Sequence, residues 1–257
     1  MRDPNSIAIT GASSGIGAAL ARHYASRGRI LALSGRNPHR LEEVARDCRA
    51  AGAAVETAAF DITDQQALES WLHEADGRHP LDLVIANAGI SAGTGRFGED
   101  AIQTRQILSV NVDGVVSTVL TAVALMRPRG RGQIAIMSSL AAFRGFPGAP
   151  AYCASKAAVR VWGEALRGMV AGDGLTVSVI CPGYVKSPMT AVNDFPMPFL
   201  MDSAKAARII ERGLAAGKGR IVFPRRLFAV VWLLSLLPPS WTDPLLTRLP
   251  EKPASEG

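Results

Sequence analysis

Tyr152 stands four residues ahead of Lys156 in a helical pattern near 151–171, so the phenol and the ammonium share one helix face. A free phenol titrates near pH ~10 and is a poor proton carrier at neutral pH. An ammonium about 4 Å away, at an effective dielectric of about 20, favours the phenolate by roughly 4 kcal/mol, which lowers that pKa by up to about three before desolvation is counted. The pair is therefore expected to move a proton on and off an oxygen atom. Ser138 and Ser139 close the strand-like run Gln133–Ser138. Adjacent strand residues face opposite ways, so one hydroxyl of the two can share a cleft with the phenol and hold the same oxygen.

A second chemistry-bearing segment is Thr10-Gly11-Ala12-Ser13-Ser14-Gly15-Ile16-Gly17, between the strand-like run Ser6–Thr10 and a helical pattern near 15–27. Glycines at such a turn let backbone approach a pyrophosphate, and the helix N–H groups point at it. The same residues spell G-x-S-x-G, the nucleophile elbow of serine hydrolases. That chemistry needs a base histidine late in the chain, and the last histidine is His79, so hydrolysis is excluded. In dinucleotide folds an acid about 20 residues on binds the ribose 2′-hydroxyl. Here the second strand ends Leu33-Ser34-Gly35-Arg36-Asn37. A guanidinium suits a 2′-phosphate, which predicts NADP(H) in preference to NAD(H).

These residues need elements to hold them. Strand-like runs at Ser6–Thr10, Ile30–Ser34, Val55–Phe60, Leu81–Ala86, Gln133–Ser138, Thr176–Cys181 and Arg220–Phe223 alternate with helical patterns near 15–27, 38–51, 64–76, 99–126, 151–171 and 203–216. That rhythm predicts an α/β, Rossmann-type doubly wound parallel sheet of about seven strands with helices on both faces. The 257 residues, 48% hydrophobic and 19% charged, carry no repeat and no linker, so 1–257 reads as one dinucleotide-binding and catalytic domain, with a core of about 5–223. Cys48, Cys153 and Cys181 form no paired motif and the four histidines have no ligand spacing, so neither a disulfide framework nor a metal site is expected. No signal peptide precedes the first strand, and a cytoplasmic protein is expected. The Pro-rich, apolar stretch 183–202 is expected to be a lid.

Asn87-Ala88-Gly89 follows the fourth strand and Asn111 lies in the next helix. Together with the glycine loop, Ser139, Tyr152-x-x-x-Lys156 and Pro182-Gly183, this order resembles the short-chain dehydrogenase/reductase family, in its branch of about 250 residues. The resemblance covers roughly 5–220 of the chain. It implies a catalytic tetrad of Asn111, Ser139, Tyr152 and Lys156 that transfers a hydride between a nicotinamide and a carbonyl or secondary alcohol. Ser139 is the tetrad serine because it lies 13 residues before Tyr152. Tyr152 would protonate the oxygen, Lys156 would also hold the nicotinamide ribose, and Asn111 would support Lys156 through a water. Cofactor contacts are implied for Gly11, Ser13, Ser14, Gly15, Ile16, Gly17 and Arg36. They are implied as well for Asp61 (on the adenine), Ile62, and Asn87, Ala88 and Gly89 on the adenosine side, with Ile90 packed nearby. At the nicotinamide end Pro182, Gly183 and Val185 join them, with Ser187 in place of the family's threonine. A homodimer or higher homo-oligomer is implied, through the long helices near 99–126 and 151–171.

The resemblance fails after about residue 223. The chain continues as an apolar helical extension, about 224–257, whose run Leu227–Leu237 is eleven residues long and too short to span a bilayer. Lys218, Arg220, Arg225 and Arg226 flank it, with no acid from Gly213 to Ser240. Residues 225–249 are expected to pack on the domain or on a partner subunit, with a membrane surface as the alternative. Apolar surface near the cleft points to a lipophilic small-molecule substrate. Two competing classes are a catalytically silent nucleotide-binding scaffold, free to lose the tetrad, and nucleic-acid binding through Arg127-Pro128-Arg129-Gly130-Arg131. The latter patch lacks aromatics for base stacking and lies on the sheet edge opposite the cofactor, so no nucleic acid is expected.

Overall fold

Short apolar strands dictate the frame of the chain, whose computed structural model describes residues 3–94 and 98–248. Strands β1 (Ser6–Ile9), β2 (Ile30–Gly35), β3 (Ala54–Ala59), β4 (Leu83–Ala86), β5 (Gly132–Met137), β6 (Leu175–Pro182) and β7 (Arg220–Phe223) pair in the order β3-β2-β1-β4-β5-β6-β7. Every pairing is parallel, with Ile7 opposite both Leu31 and Leu83 and Ile136 opposite Val179. Ile7, Ala8, Ile9, Leu83, Val84 and Ile85 have no exposed surface, as strands covered on both faces require.

Helices α1 (Gly15–Tyr24), α2 (Pro38–Ala50) and α8 (Ser203–Ala215) cover one face. Helices α3 (Gln65–Arg78), α5 (Gly114–Met126) and α6 (Pro150–Met169) cover the other. Local chemistry starts several of them. Asn37 accepts from Arg40 N at 2.9 Å ahead of Pro38, and Asp64 accepts from Ala67 N at 3.0 Å. A Cβ on Gly163 would lie 2.7 Å from Ile136 Cδ1 and 2.9 Å from Val179 Cγ2. That close approach clamps α6, and Tyr152 and Lys156 with it, onto β5 and β6.

The single helix expected near 99–126 is interrupted. Helix α4 (Ala101–Leu108) passes through a π turn, Ser109–Asp113, into α5. The turn carries Asn111, and such bulges re-aim a side chain within an otherwise continuous helix. The helical path Ala101–Arg129 is also long and apolar enough to cross a membrane, and 56% of the apolar window in that path is buried in the fold. Two arginines of the basic patch are spent internally: Arg127 pairs with Asp173 at 2.8 Å and Arg129 chelates Asp76 at 2.6 and 2.8 Å.

The stretch 183–202 closes on itself. Val185 and Met201 form a parallel bridge, and Lys186 N donates to Met201 O at 2.9 Å. Within the loop lies α7 (Pro188–Ala191). Beyond β7 come α9 (Arg225–Leu236) and α10 (Pro239–Leu246). Of α9, Val231 alone is fully buried, with Leu227 and Phe228 partly packed on Leu140 and Phe143. Intramolecular packing thus covers one side of the extension, and Val230, Trp232, Leu233, Leu236, Trp241 and Leu245 remain exposed. Residues 249–257 lie outside the described residues.

Candidate active site

All seven strands point their carboxyl ends the same way, so Thr10, Gly35, Asn87, Ser139, Pro182 and Pro224 meet along one edge. The order of strands reverses between β1 and β4, and ligands bind at that crevice.

The glycine loop occupies the crevice. Gly11 and Gly15 have φ of +66° and +55°, in the left-handed region that a side chain disfavours. A Cβ on Gly17 would lie 2.3 Å from Gly11 O and 2.5 Å from Asn87 Nδ2. Ser14 begins α1 without a capping side-chain bond, and no acid stands in the first turn. The positive end of α1 is left for an external anion, which is what a pyrophosphate needs. Ser13 packs beneath the loop, its Oγ 3.0 Å from where a Gly35 Cβ would sit, while Ile16 packs on the core. These residues fit a dinucleotide.

At the adenosine end the expected contact residues are also held by bonds within the fold. Asn87 does not offer its amide nitrogen to the cleft: Nδ2 donates to Thr10 O at 3.0 Å and Gly11 O at 3.1 Å. Thr10 Oγ1 accepts from Asn87 N at 3.0 Å and Ala88 N at 3.1 Å, locking the two loops together. Thr10 is a positioning residue that its ordinary place at a strand end conceals. Asp61 Oδ1 accepts from Thr63 N at 2.9 Å and Thr63 Oγ1 at 2.7 Å, a local turn bond that fixes the carboxylate and leaves Oδ2 exposed. Burial raises the Asp61 pKa, but the two Thr63 bonds and Arg36 outweigh it and hold the carboxyl below its ordinary value. Arg36 Nη1 stands 3.9 Å from Asp61 Oδ2 and its side chain is 57% exposed. Ile62 is a core residue packed against Gly114.

At the other end the tetrad positions come together. Ser139 Oγ lies beside the Tyr152 phenol and lowers its pKa, donates to Pro182 O at 3.5 Å and accepts from Ala141 N at 3.1 Å. Ser138 turns away and donates to Lys156 O at 2.8 Å, as strand alternation requires. Asn111 is fully buried. Its amide closes a reciprocal pair with the Ile90 backbone, Oδ1 accepting at 2.8 Å and Nδ2 donating at 2.9 Å. Asn111 Nδ2 also donates to Ser155 Oγ at 3.0 Å, and Ser155 donates to Tyr152 O at 2.8 Å. Asn111 thus ties the Gly89–Ile90 turn to the first turn of α6 through side-chain contacts. Ser155, three residues after Tyr152, is a positioning residue that the motif does not announce.

Tyr152 and Lys156 stand near one another, as their shared face of α6 predicts. Lys156 Nζ donates to Met137 O at 3.0 Å and lies 5.9 Å from the Tyr152 ring centre. Burial dominates both groups: it pushes the phenol up to about 12, against the Ser139 hydroxyl that lowers it, and pushes the ammonium down to about 8. Shared helix spacing puts the two on one face, and the carbonyl at the end of β5 accepts one of the ammonium's three hydrogens. A Cβ on Gly89 would sit 3.2 Å from Lys156 Nζ and 3.1 Å from Asn111 Oδ1, so glycine keeps this corner open.

Gly183 N donates to Phe223 O at 2.7 Å. Val185 is buried against the core, with its carbonyl accepting from Thr190 at 2.9 Å, and so supports the loop rather than lining the cleft with its side chain. Ser187 caps α7 by accepting from Thr190 N at 3.3 Å, and a Cβ on Gly15 would come 3.0 Å from Ser187 Cβ. The loop 183–202 therefore leans on the glycine loop. Tyr184 and Phe195 stack edge-on at 6.3 Å, and Phe143 and Phe228 at 5.1 Å. Cys48, Cys153 and Cys181 are buried free thiols.

A family model described as short chain dehydrogenase matches residues 5–195. An uncharacterised oxidoreductase of Myxococcus xanthus (strain DK1622) is 37% identical over 242 residues, 94% of this chain and 96% of that protein. An uncharacterised oxidoreductase of Mycobacterium tuberculosis (strain H37Rv) is 35% identical over 242 residues, 92% of this chain and 95% of that one. Among solved structures, a short-chain dehydrogenase/reductase from Burkholderia phymatum in complex with NAD superposes with a TM-score of 0.83, at 24% identity and 99% of both chains. A short-chain type dehydrogenase/reductase from Mycobacterium marinum gives a TM-score of 0.77 at 25% identity, covering 85% of this chain and 93% of its own.

Proposed function

The chain belongs to the short-chain dehydrogenase/reductase family and is an NAD(P)-dependent oxidoreductase, and from that premise we propose that it prefers NADP(H) and interconverts lipophilic ketones and secondary alcohols. The observation that carries the reaction is the Ser139–Tyr152 hydroxyl pair, held at the carboxyl edge beside Lys156 and Gly89. The nicotinamide, when bound, supplies or accepts the hydride. Ser139 then orients the substrate oxygen, and Tyr152 Oη gives that oxygen its proton in reduction and removes it in oxidation. Lys156 is the cation that favours the phenolate as it forms, and Asn111 holds the turn and the helix that frame the cleft.

Arg36 supports the cofactor preference: it is exposed, and its loose approach to Asp61 leaves guanidinium donors for a 2′-phosphate. Titration of the protein with NADPH and NADH, followed by nicotinamide fluorescence, is expected to give tighter binding of NADPH. Replacing Arg36 by serine should cut NADPH affinity by about 10- to 100-fold, the worth of a charge-assisted hydrogen bond or two, and leave NADH nearly unchanged. Equal losses for both cofactors would remove Arg36 from the 2′ position.

Apolar side chains around the mouth support the substrate class: Leu140 and Leu227 flank Gly183, and Phe143 packs on Phe228. Long-chain or cyclic ketones are expected to show kcat/KM at least about tenfold above small polar ketones, since each buried methylene is worth about 0.8 kcal/mol. Steady-state assays across such a series check it, and a preference for small polar ketones would overturn it.

A further inference from the structure

We propose that α9 and α10 form a docking face for an anionic lipid surface, a property beyond the redox reaction and independent of it. The two sides of α9 differ in what they meet. Leu227 and Phe228 face the domain, against Leu140, Phe143 and Gly183, and Val231 is buried. The opposite side carries Val230, Leu233 and Leu236 at helical spacing, and Leu233 and Leu236 are 58% and 60% exposed. Trp232 joins them, and α10 adds Leu245 and Trp241, the latter 73% exposed. Soluble surfaces scatter such residues singly, and here they are gathered on two consecutive helices. The face is held firmly: Arg144 donates to Thr242 Oγ1 at 2.7 Å and to Asp243 Oδ1 at 3.1 Å, anchoring α10 to the segment that follows Ser139.

Charge identifies the occupant. Arg225 and Arg226 are the first residues of α9, where the helix dipole disfavours cations, and no acid stands in that turn. No Asp or Glu occurs from Gly213 to Ser240, and Asp243 is engaged by Arg144. A second copy on a two-fold axis would set this patch against itself, arginines included, with Asp243, already paired with Arg144, the single carboxylate of the two helices. Anionic headgroups answer the arginines, while the tryptophans and leucines enter the acyl boundary beneath. Because Leu227 and Phe228 border Gly183 and Phe143, docking would bring the cleft mouth to the bilayer.

Flotation of the purified full-length protein with vesicles tests the proposal, using phosphatidylcholine alone and phosphatidylcholine with about one quarter phosphatidylglycerol. The wild-type protein should float with the anionic vesicles and much less with the neutral ones. Arg225→Ser with Arg226→Ser should weaken that binding by about thirty-fold, about fivefold for each charge. Leu233→Ser with Leu236→Ser should abolish it, with the sedimentation coefficient and thermal midpoint unchanged because both side chains already face solvent. Failure of the wild-type protein to float, or equal binding to both vesicles, overturns the proposal. So does a shift of the leucine variant to a smaller assembly, which would make the face a subunit interface.

Discussion

Replacing Tyr152 by phenylalanine is expected to lower kcat/KM about a thousandfold or more while leaving NADPH binding within about twofold, the loss typical of removing a positioned acid/base group. The substitution deletes one oxygen and keeps the ring that α6 presents to the cleft. The phenol is pushed up to about 12 by burial, so at neutral pH it is protonated and ready to donate in ketone reduction. For alcohol oxidation the phenolate is the working form. The sign is therefore different for the two directions. Reduction should be nearly flat across the neutral range, and oxidation should rise about tenfold per pH unit toward alkaline pH until a positioned cation or the phenol's own titration levels it. Lys156, pushed down to about 8, begins to lose its charge in the same range and should flatten that rise above it. Steady-state rates in both directions, for wild type and Tyr152→Phe, read this directly. A variant that keeps a wild-type oxidation slope would assign the proton to another group.

Much of this site follows from side-chain identity, and the exceptions share a cause. The strand and helix rhythm, the all-parallel sheet and the crevice at β1 and β4 follow from apolar periodicity and the handedness of crossovers. Strand alternation said that one of Ser138 and Ser139 could serve, and the 13-residue spacing to Tyr152 that the family resemblance supplies chose Ser139. The two hydroxyls do diverge, one toward the phenol and one to Lys156 O. What spacing could not reveal is where backbone carbonyls end up. Lys156 is drawn to Met137 O, and Asn87 to Thr10 O and Gly11 O. A carbonyl has no residue signature, so a polar side chain that pairs with one looks available from sequence. The π turn at Ser109–Asp113 is hidden likewise, because it differs from an α-helix by one extra residue and not by composition. The extension was legible only in part, for a different reason. An apolar helix is ordinarily buried, but burial needs a surface to receive it, and the domain offers α9 one side only.

Gly17→Ala tests the other half of the site, and its sign runs against ordinary helix propensity. In an unhindered helix the change would stabilise by about 0.5–1 kcal/mol. Here the new methyl would stand 2.3 Å from Gly11 O and 2.5 Å from Asn87 Nδ2. The nearer obstacle is backbone, and it belongs to a residue already held at φ +66°. The loop must shift, breaking the Asn87 bonds to Thr10 O and Gly11 O and displacing the α1 N–H groups from the pyrophosphate position. Overpacking of this kind costs about 1–3 kcal/mol, or roughly 2–12 °C in thermal midpoint for a chain of this size. Loss of one or two charge-assisted bonds to phosphate should weaken NADPH binding by about a hundredfold. Asn87→Ala separates the two obstacles. Removing the amide relieves the 2.5 Å contact but not the one with Gly11 O, so the double variant should stay defective in cofactor binding. Its penalty should be less than the sum of the single ones, because both act on the same bonds. Full recovery of NADPH affinity in Gly17→Ala with Asn87→Ala would mean that the asparagine amide, and not the carbonyl of Gly11, sets the limit on residue 17.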